Sequence, residues 1–198
     1  MRRAAYLLLL CLVLAGSIAC CAGPELIGGR YEEKLLLQRR QTFALVGPVL
    51  DDPQAWAYAE PPAAIAALYS HYQVAALSSG IPPAGAEFPG VRPLGEAPPP
   101  LRGALGAARE ALIASGYRPV GEGETPDFVL SLGLTSGERG EVVKLDLNVG
   151  AEVEGTFDPQ QASIVVGLTQ EEGCEVDLDE LVREVVGALP PQDPAGER

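Results

Sequence analysis

Histidine is almost missing from this chain: among 198 residues there is only His71. A metal centre or a general base built on imidazole needs partners, and a lone histidine in ALYSHYQVA has no second His to supply them. Ser70 beside it does not complete a triad, because adjacent residues on a helix point in different directions. His71 therefore reads as a helix-surface or partly packed side chain. Cysteine is scarce too, with four residues and no CxxC spacing, which leaves neither a zinc knuckle nor a thioredoxin-like site. No DxDxDG loop is present, so the calcium pattern is also missing. Positive charge is short, with 14 Lys+Arg against 27 Asp+Glu and a formal net charge of −13. Nucleic-acid binding draws much of its affinity from phosphate neutralisation, so no nucleic-acid partner is expected. Aromatic residues make up only 6%, which leaves aliphatic packing to carry the fold. No cofactor or metal is expected from this inventory, and no catalytic residue stands out.

What is present begins at the amino terminus. Arg2 and Arg3 precede AAYLLLLCLVLAGSIA, and small residues surround Cys20 and Cys21. A positive end, an apolar stretch and small residues at its close make the plan of an export signal. The triplet Ser17-Ile18-Ala19 before Cys20 resembles the bacterial lipoprotein signal, in which an invariant cysteine receives the lipid. Cys20 is the better match, because taking Cys21 puts Cys20 where a small residue belongs. The resemblance implies that residues 1–19 leave, that Cys20 becomes the first residue, and that its sulfur carries a diacylglycerol. Two other readings fit the same stretch. Ser17-Ile18-Ala19 suits an ordinary signal peptidase and a soluble periplasmic or secreted product, and the uncharged run Ala4 to Pro24 is long enough to stay as an uncleaved helix.

Residues 20–41 read as a tether with a short helix in RYEEKLLLQRRQ. Residues 42–190 read as one domain, with a tail at 191–198. TFALVGPV opens the domain as a strand. Ile65, Leu68, Tyr69 and Tyr72 are spaced for a helix over 63–77. Residues 78–100, dense in Pro and Gly, read as a long loop, with Pro98 to Pro100 more a spacer than a polyproline recognition motif. Leu101, Ala104, Leu105, Ala108 and Leu112 share one helical face, while Arg102, Arg109 and Glu110 fall away from it, and Gly116 ends the helix. Tyr117 to Val120 starts a strand, and DFVLSLGLT alternates with period two. Val143, Leu145, Leu147, Val149, Ala151 and Val153 alternate with Lys144, Asp146, Asn148, Glu152 and Glu154. That polar set reads as a solvated sheet face rather than a surface for a cationic partner. FDPQQ reads as a turn into ASIVVGLT. DLDELVREVVGALPP then reads as a capped amphipathic helix: Asp177 and Glu180 form a capping-box pattern, Leu178, Leu181, Val182, Val185, Val186 and Leu189 make its buried stripe, and Pro190-Pro191 end it.

These elements lack regular βαβ alternation, so the expected fold class is α+β: a mainly antiparallel sheet of about four to five strands with amphipathic helices over one face. Their order resembles the domain of unknown function 4136 family of envelope lipoproteins. The residues that carry the likeness are Thr42-Phe43-Ala44, ALIASGYRPV at 111–120, PDFVLSLGL at 126–134, and Leu189-Pro190-Pro191. Leu45 departs from that pattern, where an aromatic is usual. The family has no established activity, so the resemblance implies an address and a fold.

The expected function is accordingly a lipid-anchored envelope protein on the periplasmic face of the outer membrane. It would be a non-enzymatic structural or partner-binding module, with the membrane and an envelope protein as its partners. An envelope hydrolase is the competing class, and it requires a carboxylate site built from loop ends such as Glu122, Glu124, Asp127 and Asp177. Solvated turns and helix caps are the commoner use of such acids. Cys174 is the one domain thiol, and a free or intermolecular thiol is preferred over a bridge to Cys21.

Overall fold

The computed structural model describes residues 24–31, 37–48, 55–65, 90–137, 142–153, 156–168 and 176–191. Cys11, Cys20, Cys21, Ser70, His71 and Cys174 lie outside the described residues, as do 66–77 of the predicted 63–77 helix, the first part of the 78–100 loop, and 192–198 of the predicted tail.

Among the described residues eight strands form one sheet: β1 (Glu25–Tyr31), β2 (Thr42–Pro48), β3 (Ala55–Glu60), β4 (Gly90–Pro93), β5 (Arg118–Pro119), β6 (Phe128–Ser136), β7 (Val142–Val153) and β8 (Thr156–Gly167). Their order is β1-β8-β7-β6-β2-β3-β4, with β5 pairing against β2. Pairs β1/β8, β2/β3, β6/β7 and β7/β8 are antiparallel, while β2/β5, β2/β6 and β3/β4 are parallel.

The expected antiparallel sheet of four to five strands is therefore corrected to a mixed sheet of eight. Helix α1 (Pro99–Ala114) lies in the chain between β2 and β6, and a strand that returns through a crossover enters parallel to its partner. β1, β3 and β4 carry interrupted strand signals. β1 holds Gly28 and Gly29, alanine takes every second position of β3, and β4 ends in Pro93. β1, expected as part of a tether, is an edge strand of the described sheet. The run after Leu35 and Leu36 forms a single 3-10 turn at Leu37–Arg39.

β2 is buried along Thr42 to Gly47, on both faces of the sheet. Its unbroken run TFALVG is what a central strand covered on both faces requires. On one face, Phe43, Leu45, Phe128, Leu130 and Leu132 pack against Leu105 and Leu112 of α1 and against Val182 and Val185 of α2 (Leu178–Gly187). On the other, Ala44, Val46, Ala57, Ala59 and Val129 pack with Ala64 and Ile65, which belong to a helical turn over 62–65.

The helices begin and end for local reasons. Pro98 precedes α1, and Pro99 and Pro100 occupy its first turn, where a missing N–H costs nothing and φ is already helical. Two of the three prolines read as a spacer are thus the start of the helix. Gly116 follows α1 at φ 95°, a conformation that favours glycine. The Asp177 carboxylate accepts a hydrogen bond from the Glu180 backbone N–H at 3.0 Å, which caps α2.

FDPQQ is not a turn. β7 and β8 are joined by Glu154 and Gly155 alone, since Val153 pairs with Thr156. Pro159 lies in a register shift of β8, between the pairs Ala151↔Asp158 and Val149↔Ala162. A bulge tolerates a proline that a regular ladder would not.

Candidate functional site

The loop-end carboxylates come first, because they are the groups that a hydrolase would need. Asp127 precedes β6, and its side chain faces the start of β2. Its Oδ2 accepts hydrogen bonds from the Gln41 N–H at 3.0 Å, the Thr42 N–H at 2.8 Å and the Thr42 hydroxyl at 2.9 Å. The Asp127 N–H lies 3.0 Å from the Thr42 carbonyl oxygen and 3.1 Å from Thr42 Oγ1. Arg40 donates to the Asp127 carbonyl at 3.1 Å and to the Glu152 carbonyl at 2.7 Å. This arrangement fastens β2, β6 and β7 together at one end of the sheet. Partial burial alone would raise the Asp127 pKa, but the hydrogen bonds from Thr42 and Gln41 and the nearby Arg40 charge outweigh it, so the carboxyl stays below its usual range.

The sign of that shift sets a pH dependence. A carboxyl with a lowered folded pKa adds stability above the unfolded value of about 3.9, and the contribution fades as pH falls through the folded pKa. Wild type is expected to lose more stability than Asp127→Asn between pH 6 and pH 3. Urea unfolding at the two pH values measures it, and equal losses would remove Asp127 from the acid response.

Glu124 serves a tight turn. It accepts from the Gly121 N–H at 2.8 Å and pairs with Arg118 at 3.2 Å. The Gly121 hydrogen bond, followed by Arg118, lowers its pKa. Glu122 is exposed in the same turn, and Asp177 is the cap of α2, apart from both in the chain. Lys144 and Asp146, on the predicted polar face of β7, pair at 2.9 Å. No group of three or more His, Cys, Asp or Glu among the described residues could hold a metal ion.

A small cleft was not anticipated. Phe43, Leu45, Pro119 and Val120 form its apolar floor, with Pro61, Glu60 and Arg109 at the rim. The Arg109 Nε stands 3.6 Å from a Glu60 carboxylate oxygen, and both side chains are nearly half exposed. A pair so exposed contributes at most about 1 kcal/mol. The cleft volume, about 130 Å³, falls below the roughly 300–1,000 Å³ of small-molecule sites. Helical spacing places Arg109 on the outer face of α1, but Glu60 reaches it only because the unrecognised β3 ends there.

Cys20 and Cys21, the predicted lipid-site residues, lie outside the described residues, and so does His71. Among the described residues no helix is long and apolar enough to cross a membrane.

No family model matches the chain, and no curated protein does. Solved structures of one protein, among others, share a limited likeness. The PelC dodecamer from Paraburkholderia phytofirmans is 18% identical, covers 48% of this chain and 77% of its own, and has a TM-score of 0.31. A single-substitution variant of that dodecamer, from the same organism, is 20% identical over 48% of this chain and 76% of its own, also at 0.31. At that score neither carries an argument about fold or function.

Proposed function

We propose that this chain is a lipid-anchored protein of the bacterial cell envelope, held through Cys20, whose mixed-sheet domain works as a non-enzymatic structural or partner-binding module. The observation that carries this reading is the amino-terminal order of Arg2-Arg3, a leucine-rich run and Ser17-Ile18-Ala19-Cys20. The likeness to envelope lipoproteins, carried by Thr42-Phe43-Ala44 and the Gly116-Tyr117 turn, supports the same address, on the periplasmic face of the outer membrane. The partners are the bilayer and an envelope protein.

The competing hydrolase has less support. A glycosidase-type site needs one carboxyl held protonated near neutral pH, which calls for a raised pKa. Asp127 and Glu124 are both shifted the other way by hydrogen bonds that they accept. Their geometry serves the backbone, and Asp177 is occupied in the same manner.

Mass spectrometry of the mature amino terminus tests the proposal. The expected first residue is Cys20 carrying a diacylglycerol, with residues 1–19 gone. An unmodified Cys20, or an intact leader, would sink it.

A further inference from the structure

The distance from Cys20 to the first strand is short. β1 begins at Glu25, five residues along, and Pro24 is already half buried. Fully extended, five residues span at most about 18 Å. A lipid on Cys20 places that sulfur at the boundary between acyl chains and headgroups, and the headgroup layer is itself several ångströms deep. Glu25 is therefore confined near the surface. Among the described residues β1 is also an edge strand, with β8 on one side and no described strand on the other in the sheet order.

Ile27 stands out at this edge. It is the extra residue of a β-bulge, lying between the pairs Leu26↔Val166 and Gly28↔Val165. Its side chain sits over Gly167, where an added Cβ would come within 2.9 Å of the Ile27 Cδ1. Glycine at 167 makes room for it, yet Ile27 remains 62% exposed and is one of two exposed large hydrophobic residues among those described. The other, Ile113, is on α1. Charge does not hold the domain to a bilayer. Removal of residues 1–19 takes Arg2 and Arg3 from the 14 basic residues, leaving 12 against 27 acids, or −15. An anionic surface repels such a domain, so proximity comes from the covalent link and contact from an apolar group.

We infer that the exposed face of β1 and β8 at this edge of the sheet rests on the bilayer, with Ile27 seated in the headgroup region, within a short chain length of the lipidated Cys20. This rests on the lipoprotein reading above. The domain is held against its membrane rather than at the end of a flexible stalk.

The test uses the full lipidated chain in vesicles of phosphatidylethanolamine and phosphatidylglycerol. A solvatochromic fluorophore is placed at Ile27→Cys, in a Cys21→Ser, Cys174→Ser background. Glu96→Cys is the control, because it follows β4 at the opposite edge, six strand spacings or roughly 29 Å away along the sheet. Ile27 is largely exposed, so its replacement leaves the core intact. The expected result is a blue shift of the Ile27 label and loss of its emission to quenchers carried on the lipids, with neither at Glu96. A label at Ile27 that stays in water while the lipidated chain floats with the vesicles overturns the inference and leaves the anchor standing. A blue shift without lipid quenching means that protein covers Ile27, which also overturns it. An unmodified Cys20 with no flotation removes the anchor, and the inference falls with it.

Discussion

Residues 22–198, exported behind a cleavable signal that leaves no acceptor cysteine, are expected to stay wholly in the soluble fraction, while the full chain sediments with membranes. The difference is large because of how acyl chains add. Each buried methylene contributes about 0.8 kcal/mol, a single myristoyl chain binds only marginally with K of about 10⁴ M⁻¹, and a second chain makes anchoring stable. Removing a diacylglycerol therefore deletes essentially the whole membrane affinity. Nothing in the domain's net charge compensates, since acids outnumber bases 27 to 14 in the complete chain. Centrifugation of the two forms, with a folding check on the soluble one, measures the effect. Pelleting of residues 22–198 to the same extent as the full chain would locate the membrane affinity in the domain instead.

Phe128→Ala is expected to lower the unfolding free energy by about 3–5 kcal/mol, a large fraction of an ordinary domain's stability. Phe128 is fully buried where β2, β6 and the turn after α1 meet. Its ring is 6.1 Å from Phe43 and 5.2 Å from Tyr117, the latter an edge-on contact at 76°. Such a contact adds about 0.5–1.5 kcal/mol beyond the buried area. Tyr117 is fixed in turn by its hydroxyl, which donates to the Pro190 carbonyl at 2.6 Å, so the cavity left by alanine has stiff walls. Ile113→Ala on the exposed side of α1 is the control and should change stability by no more than about 0.5 kcal/mol. Urea unfolding of the soluble domain compares them. Equal midpoints would mean that the three rings do not form the centre of the core.

The residues of this core were readable from the chain wherever the period was strong. Phe128, Leu130 and Leu132 alternate, and all three are buried. The face of α1 running through Leu101, Ala104, Leu105, Ala108 and Leu112 is also buried, as are Leu181, Val182, Val185, Val186 and Leu189 of the α2 stripe, with Leu178 partly so. Burial on both sides of β6 was less readable, because Val129 and Ser131 occupy positions that a half-exposed strand would give to water. Sheet extent was the larger loss. Gly28-Gly29, the alanines of β3 and Pro93 carry no strand signal of their own, and pairing with neighbours makes them strands.

The candidate site followed the same rule. Asp127 and Glu124 were visible as acids near a turn, and Asp177 as a cap, which needs only three residues of context. The partners of Asp127 at Gln41 and Thr42 are 85 or more residues away, and local spacing says nothing about them. Glu60 and Arg109 meet through two elements, one of which left no mark in the sequence.

The pairing of β1 with β8 has a consequence for the order in which the molecule can assemble. Tyr31 pairs with Ala162, so β1, the first described strand in the chain, must wait for β8, the last strand of the described sheet. Contacts of such long sequence separation slow folding, because the intervening chain has to be ordered first. A folding chain therefore passes through a stage with both β1 and its future partner unpaired. During that interval a chaperone, or a neighbouring chain, competes for the same backbone groups.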